Sequence, residues 1–484
     1  MKKNISKQEF RMTTEIPDGI STPDQIETRL GTLNFFDGFP DSASVEKLYD
    51  NLDFQRSVQA YMLALPPVSM VGLREGLTKY GPANSTIPTF ENLMDSRSLF
   101  LTANANTPYT WMWINLNHGP LVAEIPPNVL GMINDFWFYY VTDMGIVGPD
   151  KGKGGKYLIV PPGYEGKIPS EYYIVKMPTS EGFLGWRNFA VNGDFKPAID
   201  CLKTNAKVYL LSQAANPPGN TFVNVSSEAF STLAPADYKF WEYLNDVVQS
   251  SHVDSLDPVS LGFFASIGIE KGKPFSPDQR MKNILTEAAV VGDATVRALT
   301  FRMRQKENYF YDNSAWCSPF SGGYKFEWQP GVRNMDAFSS FYFYATGVTP
   351  AMEAKMIGQG SQYAAAFVDS RNNPLDGSKT YRLLLPPNIP INNFWSVIVY
   401  DNQTRSMLQT DQQFPMVSSQ NKNLLVNPDG SVEVFFGPKA QEGKENNWVQ
   451  TVPGKGWNTL LRLYGPLQPW FDKAWRPGEI EEVK

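Results

Sequence analysis

The sequence predicts a mainly β protein with some α-helix, built from an immunoglobulin-like β-sandwich, a small helical domain and a C-terminal jelly-roll sandwich. Two observations predict this class. Short apolar runs separated by Gly and Pro fill two long stretches, and helical spacing of apolar residues marks the stretch between them. The predicted units are an N-terminal helical segment (1–90), the first β-domain (91–215), a helical connector (216–334) and the second β-domain (335–484).

Helices are predicted from the spacing of apolar residues and from capping sequences. Apolar residues recur at helical spacing over two shorter stretches, residues 44–65 and residues 238–248. A longer helix is predicted to begin with Ser276 as the N-cap, Pro277 in the first turn and Gln279 at the capping-box position. These patterns place helices both before and after the first β-domain.

Strands are predicted where apolar runs are bounded by turn residues. In the first β-domain they cover residues 100–113, 121–125, 136–141, 157–160 and 172–177. In the second they cover residues 381–385, 395–400 and 432–436. The sequence Asn-Pro-Asp-Gly at residues 427–430 predicts a hairpin turn, because Pro suits its second position and Gly accepts the left-handed conformation.

Composition and charge disfavour several classes of partner. The net charge of −6 comes without a long basic run, which argues against nucleic acid as a partner. No stretch approaches about 18 consecutive apolar residues, so we expect no membrane span. The polar N-terminus lacks the apolar core of a signal peptide, which makes the cytoplasm the default location. The low cysteine count is also compatible with a periplasmic or secreted location, and the oligomeric state is left open.

Histidine is scarce, and this bears on metal and cofactor chemistry. His118 and His252 are the only two histidines in the chain. A catalytic zinc site with several His ligands or a facial-triad iron site is therefore disfavoured, and a Ser-His-Asp triad would have to use one of these two. We expect no metal and no cofactor.

The tract of residues 395–405 is the candidate for catalytic chemistry. Asp401 and Arg405 flank the end of a predicted strand, where a rigid sheet can present polar groups to a ligand. An Arg beside aromatic residues suits a carboxylate or a planar ring. We therefore take Asp401 and Arg405 as candidate catalytic residues. The alternative is a structural Asp–Arg pair that closes the turn.

Five further residues are candidates for contact with a ligand, which we expect to be a small molecule. They are Asn104, Tyr109, Trp395, Trp448 and Tyr464. For Asn104 the alternative is hydrogen bonding within a turn, and for the aromatic residues it is packing in the core or between domains. If the tract of residues 395–405 serves a ligand, Asp401 and Arg405 should line a cavity shared with Tyr109 or Trp448.

Several long motifs resemble two domain families. LTANANTPYTW from Leu101 and GKGGKYLIVPPGY from Gly152 resemble the N-terminal domain of unknown function DUF1254. Six further motifs resemble the companion domain of unknown function DUF1214. They are GIEKGKPFSPDQRMKNIL from residue 268, GQGSQY from 358, NFWSVIVYDNQTRS from 393, DGSVEVFFGP from 429, NWVQTVPGKGW from 447 and LRLYGP from 461. The resemblance implies an immunoglobulin-like β-domain, a small helical domain and a jelly-roll domain, and it implies no particular chemistry.

Three classes of function follow from these observations. The favoured one is a metal-independent enzyme that acts on a small organic substrate held in an aromatic-lined pocket. The first alternative is a non-catalytic protein that binds a carbohydrate or a lipid-like ligand, and the second is an assembly or interaction protein. A raised carboxylate pKa in a deep pocket would favour the enzyme, exposed Trp residues along an open sheet would favour sugar binding, and a large apolar patch would favour assembly.

Overall fold

A small antiparallel sheet and a long helix begin the computed structural model, which describes residues 12–191, 193–252 and 254–483. The sheet consists of β1 (Gln25–Thr28), β2 (Gly31–Phe36) and β3 (Phe39–Pro40), and the helix is α1 (Ser42–Thr78). The segment 1–90, predicted as helical, therefore contains strands besides its helix. Residues 1–11, in which we expected no signal peptide, lie outside the described residues.

Helix α1 is longer than predicted because it passes through Pro66 and Pro67. A proline inside a helix removes an amide donor and usually kinks or ends the helix. Here the stretch 64–73 is buried throughout, so tertiary packing holds the helix across both prolines. Over the described ranges, no helix combines the length and apolar composition that a bilayer span requires.

The N-terminal sandwich contains ten strands and one helix. They are β4 (Thr86–Thr89), β5 (Tyr109–Asn115), β6 (Leu121–Ile125), β7 (Leu130–Asp135), β8 (Tyr140–Gly145), β9 (Gly155–Val160), β10 (Tyr173–Lys176), β11 (Glu181–Arg187), α2 (Lys196–Asn205), β12 (Lys207–Leu210) and β13 (Thr221–Asn224). A six-stranded sheet has the order β13-β4-β5-β11-β7-β8, and a four-stranded sheet has the order β10-β9-β6-β12. Their facing sides bury one apolar core.

Strand β11 was not predicted, although it lies in the middle of the six-stranded sheet. Two glycines interrupt its apolar residues and hide the alternation that marks a strand. At Gly185 a Cβ atom would lie 2.6 Å from the rings of Trp111 and Phe183, so the glycine is needed for packing. The strand predicted at residues 136–141 is misplaced, because most of these residues form the turn between β7 and β8.

A helical layer follows, with α3 (Lys239–Ser250), α4 (Pro258–Ser266) and α5 (Gln279–Phe301). The predicted N-cap of α5 is wrong by two residues: Asp278, and not Ser276, accepts a hydrogen bond from the amide of Met281 (2.8 Å). A short hairpin of β14 (Glu327–Gln329) and β15 (Val332–Arg333) then precedes α6 (Met335–Tyr344), whose residues are almost all buried.

The C-terminal sandwich contains eight strands in two four-stranded sheets. Its elements are β16 (Ser361–Ala366), β17 (Thr380–Leu385), β18 (Ile391–Asp401), β19 (Met416–Ser418), β20 (Val432–Gly437), β21 (Trp448–Gln450), β22 (Trp457–Pro466), α7 (Gln468–Phe471) and β23 (Ile480–Val483). The orders are β16-β22-β18-β19 and β21-β20-β17-β23. The turn at residues 427–430 forms, but β19 and β20 belong to different sheets, so it closes no hairpin.

The two sandwiches and the helices share a further core. One face of β5 and β11, one face of β16 and β22, and the buried sides of α1, α3, α5 and α6 all contribute to it. Each of these strands is thus buried on both faces, one inside its own sandwich and one against the rest of the molecule. The predicted fold class, mainly β with α and with sandwich-like sheets, is confirmed.

Candidate functional site

A cavity lies where the six-stranded N-terminal sheet faces the β16–β22 part of the C-terminal sandwich. About 880 Å³ of space not occupied by protein atoms lies within it, part of which is open to solvent. Its apolar walls include Leu101, Trp111, Met132, Phe183, Phe320 and Leu460. Its polar lining includes Tyr109, Arg187, Ser361, Tyr363 and Arg462.

Arg187 ends β11 and reaches the cavity from the N-terminal sheet. It pairs with Tyr109 of β5 in the sheet register, and its guanidinium carbon lies 5.7 Å from the centre of the Tyr109 ring. The same carbon lies 5.8 Å from the centre of the Tyr464 ring, and Nη1 donates to the Tyr464 hydroxyl at 3.4 Å. Aromatic faces attract the cation and hold it at the boundary between the two sandwiches.

Arg462 enters the cavity from the opposite side, on β22. It pairs with Tyr363 of β16, and its guanidinium carbon lies 5.2 Å from the centre of the Tyr363 ring. Nη2 donates to the carbonyl of Thr102 and to the Tyr400 hydroxyl (2.8 Å). The side chain is only 3% exposed, and among the described residues Nε has no hydrogen-bond partner.

The two arginines create an excess of positive charge in a largely apolar space. Within the described part of the chain, neither Arg187 nor Arg462 forms a salt bridge with a carboxylate. Burying a guanidinium without a counter-charge is costly, and phenol rings and carbonyls offset only part of that cost. A bound anion would supply the missing charge.

Tyr363 stands between these cations. Its hydroxyl lies 2.6 Å from the Oγ of Ser361, two residues earlier on β16. Burial raises the pKa of the Tyr363 phenol, because it disfavours the charged phenolate. The positive charges of Arg187 and then Arg462 outweigh burial and hold this pKa below its ordinary value. Sequence reasoning missed Arg187, Ser361, Tyr363 and Arg462. A charged residue inside the apolar run LLRLYGP was the available sign of Arg462.

The Asn104 side chain makes its hydrogen bonds within a turn of the protein, which was the alternative to ligand binding. Its side-chain oxygen accepts hydrogen bonds from the amides of Asn106 (2.8 Å) and Thr107 (3.0 Å), and its Nδ2 donates to the Tyr109 hydroxyl. Asn104 is fully buried and is not among the residues that line the cavity. It therefore positions Tyr109, whose ring lines the cavity.

Asp401 and Arg405 do not line this cavity and do not form a salt bridge with each other. The Asp401 carboxylate accepts from the amide of Gln403 (2.6 Å) and from Lys455 Nζ (2.5 Å). Arg405 has a left-handed backbone (φ 56°), and its guanidinium carbon lies 3.9 Å from the ring centre of Phe343 on α6. Among the described residues, the cavity that Arg405 lines contains neither Tyr109 nor Trp448, because this turn directs Arg405 toward the helices.

Arg405 instead lines a second cavity, of about 570 Å³, between α1, α5 and α6. Arg297 and Asp293 of α5 line it as well, and they form a salt bridge with each other (2.7 Å). Burial, followed by the charge of Arg297, lowers the pKa of Arg405 to about 10. This cavity carries both signs of charge, in contrast to the first.

The three remaining ligand candidates have different surroundings. Trp395 is buried in the core between the two C-terminal sheets, and Trp448 donates from Nε1 to the carbonyl of Gly437 (2.9 Å). Tyr464 stacks on Phe394 with ring centres 4.1 Å apart and touches Arg187 through its hydroxyl. Of the residues predicted to bind a ligand, Tyr109 and Tyr464 are therefore the two that the structure brings to the arginines.

Two carboxyl groups are buried in the neighbouring strands β7 and β8. Asp143 accepts a hydrogen bond from the hydroxyl of Thr349 (2.5 Å), a residue that lines the cavity, and burial raises the pKa of Asp143 to about 6. Asp135 accepts from the amide of Tyr139 (2.9 Å), and burial raises its pKa to about 7. Burial thus favours the protonated form of both carboxyls.

The histidines take no part in either cavity. His118 lies exposed in the turn after β5, and His252 lies exposed after α3. Across the ranges that the structure describes, no three side chains of His, Cys, Asp or Glu come together as a possible metal site.

Models of two families match the chain, in the order expected from the motifs. The first, described as a protein of unknown function (DUF1254), matches residues 84–210, and the second, described as a protein of unknown function (DUF1214), matches residues 360–468. Both matches confirm the resemblance seen in the sequence. Arg187 lies in the first matched segment, and Ser361, Tyr363 and Arg462 lie in the second. No curated protein matches the chain.

Two solved structures are similar to this one. The crystal structure of the VPA0106 protein from Vibrio parahaemolyticus covers 89% of this chain and 100% of its own, with 18% identity and a TM-score of 0.54. That similarity shows a common fold. The crystal structure of an uncharacterized protein from Burkholderia cenocepacia covers 92% of this chain and 97% of its own, with 12% identity and a TM-score of 0.41.

Proposed function

We propose that this chain, which matches the DUF1254 and DUF1214 family models, is an enzyme that holds a small organic anion between its two sandwiches. One observation carries the proposal: Arg187 and Arg462 face a largely apolar cavity without a carboxylate partner among the described residues. Side chains of the cavity supply the acid and base chemistry.

The two guanidinium groups identify the charged part of the ligand. Arg is planar and always protonated, and it binds carboxylates through paired, charge-assisted hydrogen bonds. Nε of Arg462 has no hydrogen-bond partner in the described part of the chain, and Arg187 is the more accessible of the two. A carboxylate between them would gain hydrogen bonds from both sheets and offset the cost of burying the cations.

The walls identify the rest of the ligand. Trp111, Phe183 and Phe320 offer ring faces and edges, and Leu101 and Met132 add flexible apolar contacts. Such walls gain free energy from covering an apolar or aromatic body, and they offer few partners for the many hydroxyls of a sugar. The proposed substrate is therefore a small organic acid with an aromatic or branched apolar body.

Calorimetric titration of the full chain with phenylacetate and its neutral isostere phenylacetamide tests this proposal. We expect phenylacetate to bind at least about 10-fold more tightly, because only the carboxylate pairs with the arginines. Arg187→Met and Arg462→Met should each abolish that preference. Arg382→Met is the matched control, since Arg382 pairs with Glu433 and Glu481 on the distant sheet. Equal binding of the acid and the amide would contradict the proposal.

A further inference from the structure

Tyr363 has the surroundings of a proton-transfer group. It lies on β16 directly opposite Arg462 of β22, with Arg187 approaching from the facing sheet, and its hydroxyl contacts Ser361 Oγ at 2.6 Å. The Ser361 hydroxyl can donate to the phenol oxygen and so stabilise a phenolate. No carboxylate among the described residues bonds to this phenol, so its contact with Ser361 is one in which either hydroxyl can be the donor.

The charges of the cavity favour a second negative group beside a bound monocarboxylate. Arg187 and Arg462 contribute two positive charges, and a bound monocarboxylate neutralises one of them. A phenolate at Tyr363 would neutralise the other, which leaves the occupied cavity without net charge and favours binding in a space of low polarity. The lowered pKa of Tyr363 agrees with this balance.

Other tyrosines near the arginines differ from Tyr363. Burial raises the pKa of Tyr464 in spite of Arg187 and Arg462, and it raises the pKa of Tyr400 in the same way. The Tyr109 hydroxyl accepts hydrogen bonds from the backbone amide and from Nδ2 of Asn104. Tyr363 is therefore the phenol best placed to exchange a proton with a ligand.

We infer that Tyr363 is the general base of this cavity and acts on an organic acid that has a C–H bond beside a carbonyl group. This inference rests on the proposed binding of an organic anion. The phenolate removes the proton: the ligand C–H bond breaks, the phenol O–H bond forms, and the electron pair moves onto the carbonyl oxygen as an enolate. The Nε–H of Arg462 donates to that oxygen. Return of the proton to carbon, or to another atom of the enolate, restores the phenolate without any oxidant or reductant.

Deuterium exchange tests the step with phenylpyruvate, a 2-oxo acid with an aromatic body. The full chain is mixed with phenylpyruvate in D₂O, and loss of the C3 proton signal is followed by NMR against buffer alone. We expect the wild type to accelerate exchange and Tyr363→Phe to reduce the accelerated rate at least about 100-fold, the range typical of a lost general base. Tyr381→Phe is the control, since it removes a buried hydroxyl from the core of the same sandwich.

Two outcomes separate the inference from the proposed function. If phenylpyruvate does not bind to the wild type, the proposed function fails. If it binds to wild type and to Tyr363→Phe with similar affinity but exchange is the same in both, the inference is overturned and the binding site stands.

A second measurement needs no ligand. In an ultraviolet difference titration, the wild type should show the ionisation of one tyrosine below the ordinary pKa. This transition should be absent in Tyr363→Phe and should move to higher pH in Arg462→Met. The facing groups are Arg187, Arg462, Ser361 and Tyr464. Identical titrations of wild type and Tyr363→Phe below that pKa would also overturn the inference.

Discussion

The hydroxyl of Ser339 on α6 donates a hydrogen bond of 3.3 Å to the carbonyl oxygen of Met62 on α1. In an unbroken α-helix that carbonyl would accept from the amide of residue 66, but residue 66 is Pro and has no N–H. A side chain from a neighbouring helix thus satisfies the backbone group that the proline leaves without a donor.

Ser339→Ala should therefore lower the free energy of unfolding by about 1 kcal/mol, since the Met62 carbonyl loses its donor in a mostly buried place. Urea unfolding measures the change. The same substitution made in a Pro66→Ala background should cost less, because the restored amide can bond to Met62. Equal costs in the two backgrounds would show that the hydrogen bond does not compensate for the proline.

Asn104→Ala should destabilise the protein by about 1–3 kcal/mol, because the amides of Asn106 and Thr107 lose their buried acceptor. It should also weaken phenylacetate binding by freeing Tyr109. Tyr109→Phe separates the two effects: it keeps the ring beside Arg187 and leaves the turn's amides bonded. If Tyr109→Phe lost as much stability as Asn104→Ala, the stability effect could not be assigned to the amides of the turn.

Removal of Arg405 should leave ligand binding intact. Arg405 lines the cavity beside α6, whereas Arg462 lines the cavity between the sandwiches. Arg405→Met and Asp401→Ala are therefore expected to bind phenylacetate within about twofold of the wild type, in titrations run beside Arg462→Met. If Arg405→Met lost as much affinity for phenylacetate as Arg462→Met, the result would support the sequence-based prediction that Arg405 acts on the ligand.

Asp135 should make stability depend on pH. Its pKa of about 7 in the folded protein exceeds the ordinary value of 3.8. Between these values the folded state keeps the proton that the unfolded state releases, so the free energy of unfolding should fall as pH rises from 4 to 7. The fall attributable to this group is at most about 4 kcal/mol.

Asp135→Asn, which resembles the protonated acid, should remove this part of the pH dependence. Asp143 contributes in the same direction, so the relevant measurement is the difference between wild type and variant in unfolding experiments across that pH range. Parallel curves for the two proteins would show that Asp135 titrates normally.

Local patterns predicted much of the fold. β6 has its predicted bounds, and β9, β17, β18 and β20 contain their predicted runs. The N-cap of α5, Asp278, lies two residues from the predicted cap. These elements carry short-range information: alternation, helical spacing and caps. The predictions failed where packing overrode local preference, as in the proline-containing part of α1 and the glycine-containing strand β11.

The candidate site could be predicted only in part. Tyr109 and Tyr464 were chosen from the sequence, and both contact Arg187, but Arg187 and Tyr363 offered no local sign of their role. Asp401 and Arg405 are close in sequence, yet the turn sends them to different neighbours. Proximity along the chain was a poor guide to proximity in space.

The sequence by itself determined the class of fold, the family resemblance and most strands and helices, because each depends on residues within a few positions of one another. The tertiary structure alone decided which residues share a cavity. Arg187 and Arg462 are 275 positions apart, and they meet only because one face of each sandwich packs against the other. That packing buries apolar surface in the shared core, and the two cations line the cavity between the sandwiches.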